Sequence, residues 1–332
     1  MDRWSADKAN RWYEQQPWLV GCNYIPRVAI NQLEMWQAQT FAPEIIAGEL
    51  DLAASLGFNT LRVFLHDLLW QADAEGFLSR LDRFLQLAAG RGMRPMLVFF
   101  DDCWNDNPQG GPQPAPRPGV HNSGWVRSPG SAAVNDPAAW GRLERYVSGV
   151  LNEFGRDERV LMWDLYNELG NNKQNESSLP LLAETFEWAR AAAPQQPLTV
   201  GAWYANEVLN AFQLAASDII SFHCYGDAVA LTARIAELQP HGRPLICTEY
   251  MARTASSRFA SHLPIFKAQR VGCINWGLVS GKTQTIYPWG SPEGGPPPAL
   301  WFHEIFHADG TPYDAEEVAV IRSLTGVVAG KH

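Results

Sequence analysis

The sequence predicts a (β/α)8 TIM barrel: one catalytic domain over residues 1–332, with long loops after strands three and eight. Three observations predict it. Short apolar runs alternate strictly with amphipathic stretches, in eight rounds. The runs are apolar throughout, as strands buried on both faces of a parallel sheet are. The first run leads into GCNYIPRVAINQ, with no GxGxxG, which an open doubly wound sheet would want at that place.

The elements follow in order. Trp18–Ile25 reads as the first strand, followed by a helix over Pro43–Leu56 that stops at Gly57, a residue suited to helix ends. Asn59–Leu65 is the second strand, and in Gly76–Ala89 the apolar residues Phe77, Leu81, Phe84, Leu85 and Ala88 recur at helical spacing. Strand three is Arg94–Phe100 with its helix at Ala138–Phe154; strand four is Val160–Glu168 with a helix at Leu179–Ala192. Pro197–Trp203 and Asn206–Ala216 form the fifth unit, Asp218–Gly226 and Ala228–Leu238 the sixth. Pro244–Met251 precedes a helix over Arg258–Arg270, and Cys273–Val279 precedes a long loop and a last helix near Ala315–Leu324. The two longest loops, Asp101–Asn135 and Ser280–Phe302, both follow strands. They therefore fall on the C-terminal face, where barrel enzymes keep their chemistry.

Composition narrows the function. Hydrophobic residues make up 46% and charged residues 18%, which suits a buried globular core rather than disorder. A net charge of −9 repels phosphate backbones and anionic lipids, so neither nucleic acid nor a membrane surface is an expected partner. Neutral sugars are indifferent to that charge. The five cysteines are odd in number, form no CxxC pair, and four lie in apolar strand-like runs, so they read as buried free thiols. The N-terminus carries no basic stretch followed by an apolar run, and no stretch approaches the ~20 apolar residues of a membrane span. The expected location is cytoplasmic, or periplasmic or secreted if an export signal has been removed. Oligomeric state is not legible.

Two glutamates end buried strands: Glu168 closes VLMWDLYNE and Glu249 closes the run PLICTE. They belong to strands four and seven, on opposite sides of the mouth, so their side chains can converge over the axis. Glycoside hydrolysis with retention needs two carboxyl groups about 5–5.5 Å apart, one a nucleophile and one a proton shuttle. The plainer reading is a pair of salt-bridged rim glutamates. Strand alternation puts Arg62, Phe64 and His66 on one face, and Ser221, His223 and Tyr225 on another. A guanidinium inside a barrel strand needs a carboxylate, for which Glu249 is the natural partner. Asn167, beside Glu168, can hydrogen-bond a sugar hydroxyl, and Trp276 offers a flat face to a pyranose.

Arg62, Asn167-Glu168, His223-x-Tyr225, Glu249 and Trp276, in that order, resemble the signature of the clan A retaining glycoside hydrolases, most closely family 5, the cellulase-like family. The resemblance covers nearly the whole chain. It implies a retaining β-glycosidase acting on β-linked oligo- or polysaccharide of glucan, mannan or xylan type. Glu249 would be the nucleophile, held ionised by Arg62 and Tyr225, and Glu168 the acid/base, with His223 near it. Asn167 would bind the 2-hydroxyl and Trp276 would floor the −1 subsite. No cofactor and no metal is implied. The chain departs from the pattern where strand three ends in Asp101 and Asp102 instead of a His, a place that His66 or His121 could fill, and where Leu169 replaces the usual Pro.

The sequence has fourteen tryptophans, and Trp36, Trp70, Trp104, Trp125, Trp203 and Trp289 fall in strand-following loops. Trp104 and Trp289 are the expected sugar platforms; Trp140 and Trp163 belong to the core. Three other barrels remain. A non-catalytic carbohydrate-binding barrel would lose one glutamate, a metal-dependent hydrolase would want HxH on strand one, and a phosphate-binding barrel would need more than the GLVSGK echo at Gly277–Lys282. Long loops over the mouth suit an exo-acting enzyme better than an open-cleft one.

Overall fold

The computed structural model describes residues 2–327. The strands are β1 (Val20–Asn23), β2 (Thr60–Phe64), β3 (Arg94–Asp101), β4 (Met162–Asn167), β5 (Leu198–Thr199), β6 (Ile220–His223), β7 (Leu245–Glu249) and β8 (Gly272–Trp276). All pair in parallel in the order β5-β4-β3-β2-β1-β8-β7-β6. Between β5 and β6 the ring is closed by the Asp218 amide on the Leu198 carbonyl (2.8 Å) and the Ala202 amide on Ser221 (3.0 Å). The fold is the (β/α)8 barrel that the alternation predicts.

The helices are α1 (Ala6–Glu14), α2 (Gln32–Trp36), α3 (Pro43–Ser55), α4 (Asp67–Ala89), α5 (Ser131–Val134), α6 (Trp140–Phe154), α7 (Leu179–Ala192), α8 (Glu207–Ala216), α9 (Ala228–Leu238), α10 (Phe259–Ala268) and α11 (Ala315–Thr325). No described helix is long and apolar enough to cross a membrane. Two short helices escape the barrel periodicity. α1 lies across the bottom, where Trp4, Ala9 and Tyr13 pack on Met96, Met162, Ile246 and Ile274 inside the barrel. α2 sits above the β1 end, with Asn31 capping it through the Glu34 amide.

Local chemistry moved several boundaries. β5 is two residues long and not the seven of Pro197–Trp203, because the Val200 amide turns to the Ser217 hydroxyl and leaves the ladder. α4 starts nine residues before Gly76, at Asp67, with a break at Asp73 (φ −162°, ψ 79°) that joins two helical pieces. Trp36 is fully buried among Phe41, Phe77 and Phe84, and Trp70 lies in α4 against Tyr146, so neither is a loop platform. Trp163 is buried against Phe99, whereas Trp140 is half-buried at the start of α6. All five cysteines are unpaired, and Cys224 alone of them is not buried.

Candidate active site

The site is built upward from Arg62, which is fully buried in the middle of β2. A charge there is tolerable only if every donor is met. Nε and Nη2 both reach Asp164 Oδ2 (3.0 and 2.7 Å), Nη1 reaches Asn23 Oδ1 (3.0 Å) and Glu249 Oε1 (2.8 Å), and Nη2 also reaches Asn167 Oδ1 (2.7 Å). Burial alone would lower the Arg62 pKa; Asp164 and Glu249 outweigh it and raise it. The guanidinium thus ties β1, β2, β4 and β7 into one layer directly under the mouth.

Glu249 at the end of β7 takes its second hydrogen bond at Oε2, from the Tyr225 hydroxyl (2.8 Å). Glu168 lies just past β4 with φ 42°, in the left-handed region, and Met251, two residues past Glu249, has φ 77°. Non-glycine residues held there cost of order 1–3 kcal/mol each and persist where their surroundings over-determine them. His223 Nδ1 stands between the two carboxylates, 3.0 Å from Glu168 Oε1 and 3.6 Å from Glu249 Oε2. Glu168 Oε2 accepts from the Cys103 thiol (3.1 Å) and from Asn171 Nδ2.

Burial pushes both carboxyls up from their ordinary values. At Glu249 the Arg62 guanidinium and the Tyr225 hydrogen bond pull back, against a further push from the Glu168 charge; at Glu168 the Cys103 and Asn171 hydrogen bonds pull back, with Arg62 acting only from a distance. A direct guanidinium contact favours the ionised form more than neutral donors do, so a proton shared by the pair is held at Glu168. Burial lowers His223 to about 4, which leaves its ring neutral at pH 7.

A cavity of about 320 Å³ opens above this layer, lined by Asn167, Glu168, Glu249, Tyr225, Trp276, Trp104 and Trp289 among others. Of the residues singled out in the sequence, Arg62 and His223 stand beneath it, hydrogen-bonded to the glutamates. Trp104 and Trp289 are the large exposed aromatics of the mouth, at 38% and 46% exposure. Trp125 and Trp203 also line it, with their indole N–H groups fixed on Asp101 (2.7 Å) and the Leu169 carbonyl (2.9 Å).

His66 is a correction. It does not line the cavity: its Nδ1 accepts from the Leu68 amide (3.2 Å) as the N-cap of α4, and Nε2 meets the Arg127 carbonyl (2.9 Å). Of the two histidines, His121, carried over by the loop after β3, reaches the cavity. Asp101 and Asp102, adjacent in sequence, part company. Asp101 turns inward to Asn167 and Trp125, while Asp102 turns outward to Tyr166, Ser178 and the Gly170 amide.

Sequence reasoning missed Asp164, Cys103, Asn171, Asn122 and His303. Asp164 alone had a readable signal: like Arg62, it is a lone charge in an apolar strand. Among the described residues one group of His, Cys, Asp or Glu is close enough to share a metal ion: Glu168, His223 and Glu249, whose nearest ligand atoms all lie within 4.8 Å of one another. The Arg62 guanidinium on Glu249 opposes a dication there.

A family model described as Cellulase (glycosyl hydrolase family 5) matches residues 27–281. No curated protein matches the chain by sequence. Among solved structures, a GH5_18 protein from Streptomyces cattleya in complex with Manβ1-4GlcNAc is similar at TM-score 0.64 and 13% identity, over 95% of this chain and 82% of that one. An exo-β-1,4-mannosidase from Opitutaceae bacterium strain TAV5 is similar at TM-score 0.63 and 18% identity, over 93% of this chain and 60% of that one. An endo-β-1,4-mannanase from Thermotoga petrophila is similar at TM-score 0.61 and 15% identity, over 94% and 78%.

Proposed function

The chain belongs to glycosyl hydrolase family 5, and from that membership we propose a retaining, exo-acting β-glycosidase that removes terminal sugars from β-linked oligosaccharides of mannan type, with Glu249 as nucleophile and Glu168 as acid/base. That the protein is an O-glycosyl hydrolase follows from the family. The observation that carries the finer reading is the spacing of the two carboxylates, with an oxygen of each within 4.8 Å of the other. Retaining enzymes hold them about 5–5.5 Å apart, whereas inverting ones leave about 6.5–9.5 Å for a water.

Glu249, ion-paired with Arg62 and hydrogen-bonded by Tyr225, attacks the anomeric carbon as a carboxylate. Glu168 gives its proton to the leaving oxygen, and the covalent glycosyl-enzyme forms. Glu168 then takes a proton from water, which attacks the same carbon and releases the sugar with its β configuration. Neutral His223, touching both carboxylates, keeps their orientation without adding a charge.

Exo action is supported by the loops after β3 and β8, which meet over the mouth. Asn122 donates its amide to the Thr283 carbonyl (2.8 Å), the Gly119 amide meets Gln284 Oε1 (3.0 Å), and Gln284 Nε2 donates back to Arg117 (2.7 Å) and Val120 (3.2 Å). In the barrel order these loops flank β1 and β2, so the pocket is walled on that side. The leaving group exits past Glu168, toward Asn171, Asn172 and Trp203. Of the three similar structures, two are a mannosidase and a mannanase and one holds a mannose-containing disaccharide, which supports mannose in the glycone position.

The test is product analysis on β-1,4-linked mannooligosaccharides beside β-glucan and β-xylan oligomers, with the product anomer read by NMR. Stepwise monosaccharide release as the β-anomer is expected from the mannan series. Glu249→Ala or Glu168→Ala should lower kcat by at least about 10³-fold with the fold intact, the scale lost when a catalytic group acting as part of a unit is removed. Near-normal turnover by Glu249→Ala would overturn the assignment.

A further inference from the structure

The walled side of the pocket is lined by polar groups that the protein does not use. Asn122, one residue after His121 in the loop that follows β3, is 1% exposed and held at φ 48°, and its Oδ1 has no hydrogen-bond partner. Its backbone is pinned on both sides, by the amide bond to Thr283 (2.8 Å) and by the Trp125 amide on its carbonyl (3.1 Å), so the side chain cannot swing away to water. His303 is fully buried, its Nδ1 is held by the Met251 carbonyl, and its Nε2 is also without a partner. His121 Nδ1 meets the Tyr287 carbonyl (2.7 Å), and its ring lies 5.4 Å from that of His303.

A carbonyl accepts only, so each imidazole must carry its hydrogen on Nδ1 and turn a lone pair outward from Nε2. All three residues line the cavity. Buried acceptors without donors are costly and rare in folded chains, and two of them on one wall, Asn122 Oδ1 and His303 Nε2, with the His121 ring beside them, call for a ligand rich in O–H donors.

We propose that Asn122, His121 and His303 form the end wall that reads the hydroxyls of the terminal sugar farthest from its anomeric carbon. The ligand class is a non-reducing terminal hexopyranoside with those hydroxyls free. Substitution of any of them by another sugar removes the O–H and meets the clamped loops, so the wall selects chain ends. The inference rests on the exo reading above and names the residues that enforce it.

The experiment compares an aryl β-mannoside with its 3-, 4- and 6-deoxy congeners in the wild type, in Asn122→Ala and in His303→Phe, recording kcat/KM and the thermal midpoint. In the wild type, loss of a read hydroxyl should lower kcat/KM by about 10²-fold or more, as for sites built to pair a substrate hydroxyl. In Asn122→Ala the parent substrate should fall by about tenfold or more while the penalty for at least one deoxy congener shrinks to about threefold or less. A structural role alone would depress parent and congeners equally, and that result would overturn the proposal. Should His303→Phe fail to fold, Asn122→Ala decides, since the Asn122 side chain makes no bond through Oδ1 that the fold could lose. Terminal sugar release with unchanged deoxy penalties overturns this proposal alone; internal cleavage of long chains overturns the exo reading as well.

Discussion

At the scale of single residues, the proposed chemistry turns on how two like carboxyls are made unlike. Glu249 is gripped by Arg62 and Tyr225, Glu168 by the weaker donors Cys103 and Asn171. Donors to the ionised form lower a carboxyl's pKa, so removing one raises it. Asn171→Ala should therefore keep Glu168 protonated to higher pH and move the alkaline limb of the kcat/KM profile upward. A limb that stays put or moves down would show that Asn171 does not set the proton affinity of Glu168. Much of this residue pattern was legible: Arg62, the Asn167-Glu168 pair, His223, Tyr225 and Glu249 have the spacing of strand ends on one barrel. Asp164 was legible only as a lone charge in an apolar strand, and its place beside Asn167 was not, for a physical reason. Asp164 and Asn167 are three apart, so strict alternation assigns them to opposite faces, yet both reach Arg62. The end of β4 thus departs from strict alternation, and no sequence period contains that departure.

At the scale of elements, strands and helices announced themselves through period, while the loops that make the site did not. The sequence places the loops after β3 and β8 on the active face from their length and position. It does not say that they clamp each other, because the clamp joins one side chain, Gln284, to backbone carbonyls and amides that any residue supplies, and nothing in the sequence marks that partnership. His66 failed for the related reason that a strand-end histidine and a helix N-cap look alike in sequence; the kink at Asp73 hides the early start of α4. The clamp carries its own prediction. Gln284→Ala removes three cross-loop hydrogen bonds, each worth about 1 kcal/mol net. Terminal-sugar release should fall by about tenfold, and internal cleavage of longer chains should become detectable, because a loosened wall both mispositions the glycone and admits its neighbour. Unchanged exo action on long oligosaccharides would show that the wall does not depend on the clamp.

At the scale of the whole molecule, stability carries a pH dependence that the active site does not cause. Glu304 is buried behind β8, with Thr285 hydrogen-bonded to Oε1 and no partner for Oε2; Gly277 leaves it room, since a Cβ there would stand 2.7 Å from that oxygen. Burial raises this carboxyl to about 8 from its ordinary 4.5. The folded chain keeps the proton across that interval while the unfolded chain has lost it, so stability falls as pH rises from 4.5 toward 8. Glu304→Gln should match the wild type near pH 5 and exceed its thermal midpoint near pH 8; equal pH slopes for the two would refute the buried proton. The Arg62 layer has a consequence of another kind, in time. Its partner Asp164 lies 102 residues along the chain and Glu249 lies 187, and β1 pairs with β8 only at the far end. On an emerging polypeptide Asp164 can neutralise the guanidinium long before the strand bearing Glu249 exists. Contacts of such separation form late and slowly. With Glu249 as the proposed nucleophile, hydrolytic competence arrives only with the last strands of the barrel.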